Sequence, residues 1–415
     1  MARKKDNKVL SVMHPICCGI DVHKEVAVAC ILIQQASGEP KKVIKEFSTF
    51  TDSLFKLKEW LLSYNCPIVA MESTGIYWRS LHNVLEDSLE IVLVNARHMK
   101  NVPGRKTDVS DSQWIAELLR HGLLKGSFIP PQDVRQWRDL CRLKKKHIGT
   151  LSDYKKRVHK LFESANIKID SVVSDLFGVT GRNLIQLLST GEEIDFESVA
   201  ACTRGKLKSK VNELFRSIKG FFNDHHRFML SSIMKTIFHL EQEIDLIHKQ
   251  LQSLLSDHQE IIDRLMEIPG IKENAAFAIV AEIGINLDEF SNTAAICSWA
   301  GVCPGNNQSA GKRRSGKSSV RGQPLKCILV ESAWAAVKKK GSFYREKFQR
   351  LRVRRGAKKA IVAIAHKILK AVFYIIKEGQ RYKELGESYF QQQKGKRLPK
   401  LIRQIEKLGM KVTPA

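Results

Sequence analysis

Four carboxylates stand out as residues able to handle a phosphodiester. They are Asp21 in Gly-Ile-Asp, Glu72 in Met-Glu-Ser-Thr-Gly, and Asp108 and Asp111 in Lys-Thr-Asp-Val-Ser-Asp. Two divalent cations about 4 Å apart need several converging carboxylates, because hard oxygen ligands offset like-charge repulsion and lost hydration. A magnesium pair held in this way can activate water or a 3′-hydroxyl and stabilise the oxygen that leaves phosphorus. Each acid also has a plain structural explanation. A strand-end carboxylate usually faces solvent, and Asp108 and Asp111 could be an N-cap and a first-turn acid favoured by the helix dipole.

A second constellation lies late in the chain. PGNNQSAGKRRSGKSSVRGQPLK (304–326) holds six Lys or Arg, no acid, and serines at 309, 315, 318 and 319. Gly and Ser let backbone amides approach phosphates, and Lys312, Arg313, Arg314, Lys317 and Arg321 supply the neutralising charge. A serine can also attack phosphorus itself, exchanging one phosphodiester for another. On residue types alone, a nucleophile and a plain phosphate-gripping loop both remain open. KKKGSFYREKFQRLRVRRGAKK (338–359) adds eleven basic residues against the single acid Glu346, with Phe343, Tyr344 and Phe348 interleaved. That pattern reads as a nucleic-acid surface with stacking, Arg352, Arg354 and Arg355 meeting phosphates; the alternative is an exposed helix whose aromatics pack inward. IPGI followed by AAFAIVAEIG reads as a helix-hairpin-helix gripping phosphate through a glycine turn, or as an ordinary helical turn.

These residues need elements to hold them. ICCGIDV (16–22) and EVAVACILI (25–33) read as a hairpin of two apolar strands, and KVIKEFSTF (42–50) as a third strand. Thr51 is expected to cap a helix with Leu54, Leu57, Trp60 and Leu61 on one face. PIVAMEST (67–74) and LEIVLVNA (89–96) read as strands flanking a helix over 75–88. A helix from about Asp108 to His121 would put Asp108 and Asp111 on one face at i, i+3. The order is βββαβαβα, three antiparallel strands followed by parallel crossovers, and it gathers the four acids at one sheet edge. From about 132 the pattern turns helical and charged. Residues 238–268 show a near-heptad stripe through Leu240, Ile244, Ile247, Leu251 and Leu254/Leu255, the mark of a coiled coil or antiparallel hairpin. Residues 165–225 read as short helices and turns, and further helices are expected over about 324–338 and 357–378. The domains expected are 12–128 (α/β), 129–265 (helical coiled coil), 266–385 (mainly α, with the serine loop) and a basic tail, 386–415.

Composition bounds the partners. The 415 residues carry 69 Lys plus Arg against 43 Asp plus Glu, a net charge of +26 that calls for a polyanion. Nucleic acid is the first candidate, and no anchor helix, lipidation signal or apolar run of membrane-spanning length argues for a membrane. Nine cysteines lie scattered without metal-ligand spacing, adjacent Cys17 and Cys18 pointing to opposite faces of a strand. We read these as reduced thiols of a cytoplasmic, nucleoid-associated protein without a secretory signal or a zinc site.

Together, GID…MESTG…KTDVSDSQWIAELLRHGLL and IPGI…EIG…FSNTAAICSWAGVCPGNNQSAGKRRSG resemble the bacterial insertion-sequence transposases of the IS one-ten type, the DEDD or bridge recombinases. The likeness covers roughly 15–125 and 260–380. It implies an N-terminal RNase H-like (RuvC-like) domain, a central coiled coil and a C-terminal transposase domain. It assigns the magnesium-binding tetrad to Asp21, Glu72, Asp108 and Asp111. It makes the serine five residues after Pro304, Ser309, the nucleophile. Here Ser309-Ala310-Gly311 stands where the family often has Ser-Gly, so Ser315 and Ser318 stay in play. The resemblance also implies double-stranded DNA partners at element ends and target, a structured guide RNA, and a homodimer or homotetramer with composite sites. The rivals are a metal-dependent, RuvC-like structure-specific endonuclease with no covalent intermediate, and a non-catalytic scaffold.

Overall fold

The computed structural model describes residues 11–36, 38–73, 75–95, 110–305, 307–309, 312–315 and 324–386, with positions 389, 402, 403, 406 and 409. It divides into two compact units, Met1–Ile129 and Pro130–Ala415.

The first unit is built on alternation. β1 (Ile16–Val22), β2 (Val26–Ile33) and β3 (Lys41–Ser48) form an antiparallel meander. After α1 (Thr51–Ser63), β4 (Ile68–Glu72) pairs parallel with β1, and after α2 (Trp78–Leu85), β5 (Glu90–Val94) pairs parallel with β4. The strand order is β3-β2-β1-β4-β5. Because side chains alternate along a strand, the adjacent cysteines separate as expected. Cys18, Ile20, Val69 and Met71 join Leu54, Leu57 and Leu61 of α1 and Leu81 and Leu85 of α2 in one core. Cys17, Ile68 and Ala70 join Ile115, Ala116 and Leu119 of α3 (Asp111–Arg120) on the opposite face.

Two local expectations change. Phe50, not Thr51, is the N-cap of α1, without a side-chain cap bond, and Thr51 is the first helical residue. The helix expected from about Asp108 starts at Asp111. Ser110 has extended backbone (φ −59°, ψ 149°), and its hydroxyl accepts a bond from the Gln113 amide at 3.4 Å. A serine hydroxyl in that position satisfies an otherwise orphaned first-turn donor, so it ends the helix ahead of Asp111. Asp108 lies outside the described residues, and with it the i, i+3 pairing expected with Asp111.

The second unit is helical. α4 (Gln132–Ser164) and α8 (Asp224–Leu254) pack along one another. They run antiparallel, since Val158 and Phe162 share a core with Leu230 and Ile237, while Lys144 lies in the field of Asp245. Between them α5 (Val179–Thr190), α6 (Phe196–Cys202) and α7 (Val211–Ser217) close a small core at one end of the pair, the short helices expected for 165–225. The helix read over 238–268 begins earlier, at Asp224, and stops at Leu254. A short 3-10 turn, Ser256–His258, separates it from α9 (Gln259–Met266). Leu240, Ile247 and Leu251 are buried as expected, and of the Leu254/Leu255 pair Leu255 is buried and Leu254 exposed; Ile244 is only half-buried. α10 (Glu273–Ile283), α11 (Thr293–Trp299), α12 (Pro324–Ala336), α13 (Phe343–Arg355) and α14 (Ala357–Glu378) complete the unit.

The nine cysteines are free, and burial sets their reactivity. Burial pushes Cys17 up to about 12 and Cys30 and Cys66 up to about 11, and raises Cys18 as well. The thiolate is the reactive form. Brief iodoacetamide treatment of the native protein at pH 8 should therefore alkylate exposed Cys327 and spare these four. Peptide mapping that finds Cys17 or Cys18 labelled as fast as Cys327 would contradict the packing of this sheet.

Candidate active site

Asp21 and Glu72 stand side by side by register. Ile20 faces Met71 across the parallel β1–β4 pair, so the next positions, 21 and 72, fall level at the carboxyl ends of both strands. By alternation Asp21 shares a face with Cys17 and Gly19, and Glu72 with Ile68 and Ala70. That is the face covered by α3. Both acids are half-buried, and the Asp21 side chain keeps 23% of its exposure.

Gly19 brings α3 down onto this spot. A Cβ there would lie 2.2 Å from the Ser112 carbonyl oxygen and 2.3 Å from the Ala116 amide nitrogen. Only glycine allows the helix backbone to touch the strand, two residues before Asp21. The first turn of α3, which begins at exposed Asp111, is thereby held over the end of β1. Three of the four expected acids thus belong to one edge, contributed by β1, β4 and the start of α3. Among the described residues, no three His, Cys, Asp or Glu side chains close into a metal-binding group, and the fourth acid, Asp108, lies outside them.

One residue here was read from sequence only as part of the hairpin turn. His23 Nε2 lies 3.0 Å from Asp21 Oδ2. The signal was present, since residues i and i+2 of an extended chain point to the same side.

The serine segment is more ordered in its backbone than a Gly/Ser loop implies. β6 (Asn307–Ser309) and β7 (Lys312–Ser315) form a two-stranded antiparallel sheet in which Ser309 pairs with Lys312. Ser309 is the last residue of β6 and pairs with Lys312, the first of β7, which carries Arg313 and Arg314 after it. Lys317, Ser318 and Arg321 lie outside the described residues.

Two expectations for the surface meet packed groups. Tyr344 and Phe348 are buried, at 2% and 5% exposure, with Phe348 against Trp334 and Tyr344 stacked on Tyr382. They anchor α13 to the core and are closed to bases. Arg352, Arg354 and Arg355 are exposed in the last turn of the same helix, where cations also complement the dipole. In the IPGI turn between α9 and α10, Gly270 has φ +88°, and a Cβ there would lie 2.1 Å from the Ser332 carbonyl of α12. Packing of the turn on α12 accounts for this glycine without a phosphate.

A buried charge clamp fixes α10, and sequence reasoning passed over it. Glu282 is 5% exposed; it accepts from Arg142 Nε at 2.9 Å and from Arg142 Nη2 at 3.0 Å, one bond to each carboxylate oxygen. Arg138 donates to the carbonyls of Ala281 (3.1 Å) and Glu282 (2.6 Å) at the end of α10. Nearby, Lys144 Nζ donates to Asn274 Oδ1 at 2.6 Å, and burial pulls the lysine below its ordinary pKa.

Residues 18–167 match a family model described as a transposase, of the DEDD kind found in IS110 elements, and residues 262–349 match one described as the transposase IS116/IS110/IS902 family. The chain belongs to the IS110-type transposases and is a DNA transposase and recombinase. The DEDD class points to dependence on a divalent metal. No curated protein matches the chain. Among the described residues, no helix is long and apolar enough to cross a membrane.

Proposed function

We propose that this transposase moves a bacterial insertion sequence by cutting and rejoining DNA through a link to Ser309, aided by a magnesium site on Asp21, Glu72, Asp108 and Asp111 in an RNase H-like first domain. The observation that carries the metal half is the level placement of Asp21 and Glu72 on neighbouring parallel strands, beneath the α3 turn that begins at Asp111. Hard, partly exposed carboxylate oxygens on one edge fit a divalent cation rather than a soft metal. When bound, such an ion would offset phosphate charge and lower the pKa of a bound water.

The protein's own part in exchange runs through the hairpin. The Ser309 oxygen forms a bond to phosphorus, the bond from phosphorus to one sugar oxygen breaks, and the serine proton passes to solvent while the departing sugar oxygen takes one up. A phosphoserine diester keeps the energy of the broken linkage, so a second sugar hydroxyl can reverse the step on a new strand. Lys312, Arg313, Arg314, Lys317 and Arg321 would neutralise the phosphates near the serine, and Arg352, Arg354 and Arg355 the flanking backbone. A structured RNA that pairs with both DNA partners would choose the sites, and a homodimer or homotetramer would bring two active centres to one exchange. The net charge of +26 is compatible with both nucleic acids.

The test is a denaturing gel of labelled element-end DNA incubated with magnesium and any co-purifying RNA. Wild type should give a protein–DNA adduct; Ser309→Ala should give none, and Asp21→Asn should lower cleavage by at least a hundredfold. Nicked DNA without an adduct in wild type would leave a metal nuclease and reduce Ser309 to a phosphate contact. An adduct persisting in Ser309→Ala would move the nucleophile to Ser315 or Ser318.

A further inference from the structure

The small helical core between α4 and α8 carries a charge pattern that the exchange chemistry does not use. Residues 204–219 hold six Lys or Arg and the single acid Glu213, and all six cations are exposed. Arg204 bonds backbone carbonyls nearby. Lys206, Lys208 and Lys210 lie on the 3-10 turn before α7, Arg216 in the last turn of α7 and Lys219 just beyond it, about 10 Å along; Lys210 lies 3.9 Å from Glu213, and Lys219 sits over the Phe215 ring. Phe221 follows them at 81% exposure.

Phe221 is displayed on a fixed mount. Its amide donates to the Ala165 carbonyl at 2.7 Å, and its neighbour Phe222 turns inward against Phe162 and His226. Leaving a phenyl ring in water forgoes the burial that usually stabilises the fold. Exposed cations followed in the chain by an exposed aromatic ring suit a strand that offers both phosphates and a base free to stack. A duplex keeps its base faces covered, whereas an unpaired strand exposes them.

We infer that Lys206, Lys208, Lys210, Arg216, Lys219 and Phe221 form a binding surface for a nucleic-acid strand with unpaired bases, separate from the cleavage chemistry. The shared chemistry is phosphate plus an open base, which RNA loops and single-stranded DNA both offer. Neither the carboxylate edge nor Ser309 takes part, so the surface stands or falls apart from the proposed reaction.

Photocross-linking of the full-length protein tests it. The probes are oligonucleotides carrying 4-thiouridine (RNA) or 4-thiothymidine (single-stranded DNA, and the same DNA as a duplex), with tryptic mapping of the adduct. The unpaired probes should cross-link within Gly220–Arg227, and the duplex should do so at least tenfold less. The Lys206→Ala/Lys208→Ala/Lys210→Ala variant should lower that local yield at least fivefold and flatten its salt dependence by about two phosphates' worth of slope. Phe221→Ala should weaken the local contact roughly five- to hundredfold at unchanged slope. A cross-link with RNA alone identifies the strand as RNA; a cross-link with both unpaired probes leaves the surface able to use either. No adduct in this peptide, equal yield with duplex, or a yield indifferent to both variants would overturn the inference. DNA nicking scored in the same samples reports on the carboxylates and Ser309 independently.

Discussion

Replacing Gly19 by alanine will loosen α3 from the sheet and abolish metal-dependent cleavage. The added methyl would sit 2.2 Å from one backbone atom of α3 and 2.3 Å from another, and no side chain can swing aside to relieve either contact. Overpacking a core usually costs about 1–3 kcal/mol, and a clash with helix backbone belongs at the top of that range. The helix must lift or the strand must bend, and either motion parts Asp111 from Asp21 and Glu72. Hydrogen exchange is the suitable readout, because two separate units make a single unfolding free energy ill-defined. Amides of Asp111–Arg120 should lose protection by about a hundredfold, corresponding to about 3 kcal/mol, while those of α12 and α14 keep theirs. Unchanged protection in α3 together with wild-type cleavage would disprove the role given to this contact.

The second large effect is expected at Glu282. Truncation to alanine removes the two-bond partner of Arg142 and the carboxylate 3.5 Å from Arg138. Removing one partner of a buried pair costs about 3–5 kcal/mol, mainly through the charge left behind. Arg142 is 43% exposed and can turn toward water, so about 3 kcal/mol is the reasonable figure. Glu282→Gln should recover part of the loss by keeping one acceptor oxygen. Urea unfolding followed by exchange in α10 would show it; a variant as stable as wild type would mean that the two arginines find other partners at no cost.

Much of the first unit was legible because its signals are local. Alternation in ICCGIDV and PIVAMEST fixes which residues face α1 and which face α3, and it places Asp21 and Glu72 at matching ends. The helices over 324–336 and 357–378 are where their apolar stripes put them. What sequence could not resolve were choices between neighbours that compete for the same job. Ser110 and Asp108 are both good N-caps, and only the fold selects the serine. Tyr344 and Phe348 look alike whether they face bases or Trp334. Glu282 was invisible for another reason: it is the second acid of a mostly apolar helix, and its partners lie 140 and 144 residues away. Gly270 was legible as a turn but not as the contact that seats that turn on Ser332.

The 33 residues of α4 make a rod of about 50 Å. Buried residues sit near both ends, Val134, Trp137 and Lys144 at one and Val158 and Phe162 at the other, and the stretch between is largely open. One end is bolted to α10 by Arg138 and Arg142; the other is embedded beside α5 and α7. A rod anchored this way behaves as a lever: a tilt of about 5° at the bolted end displaces the far end by about 4 Å. The two anchored ends are joined by one continuous helix, with no loop between them.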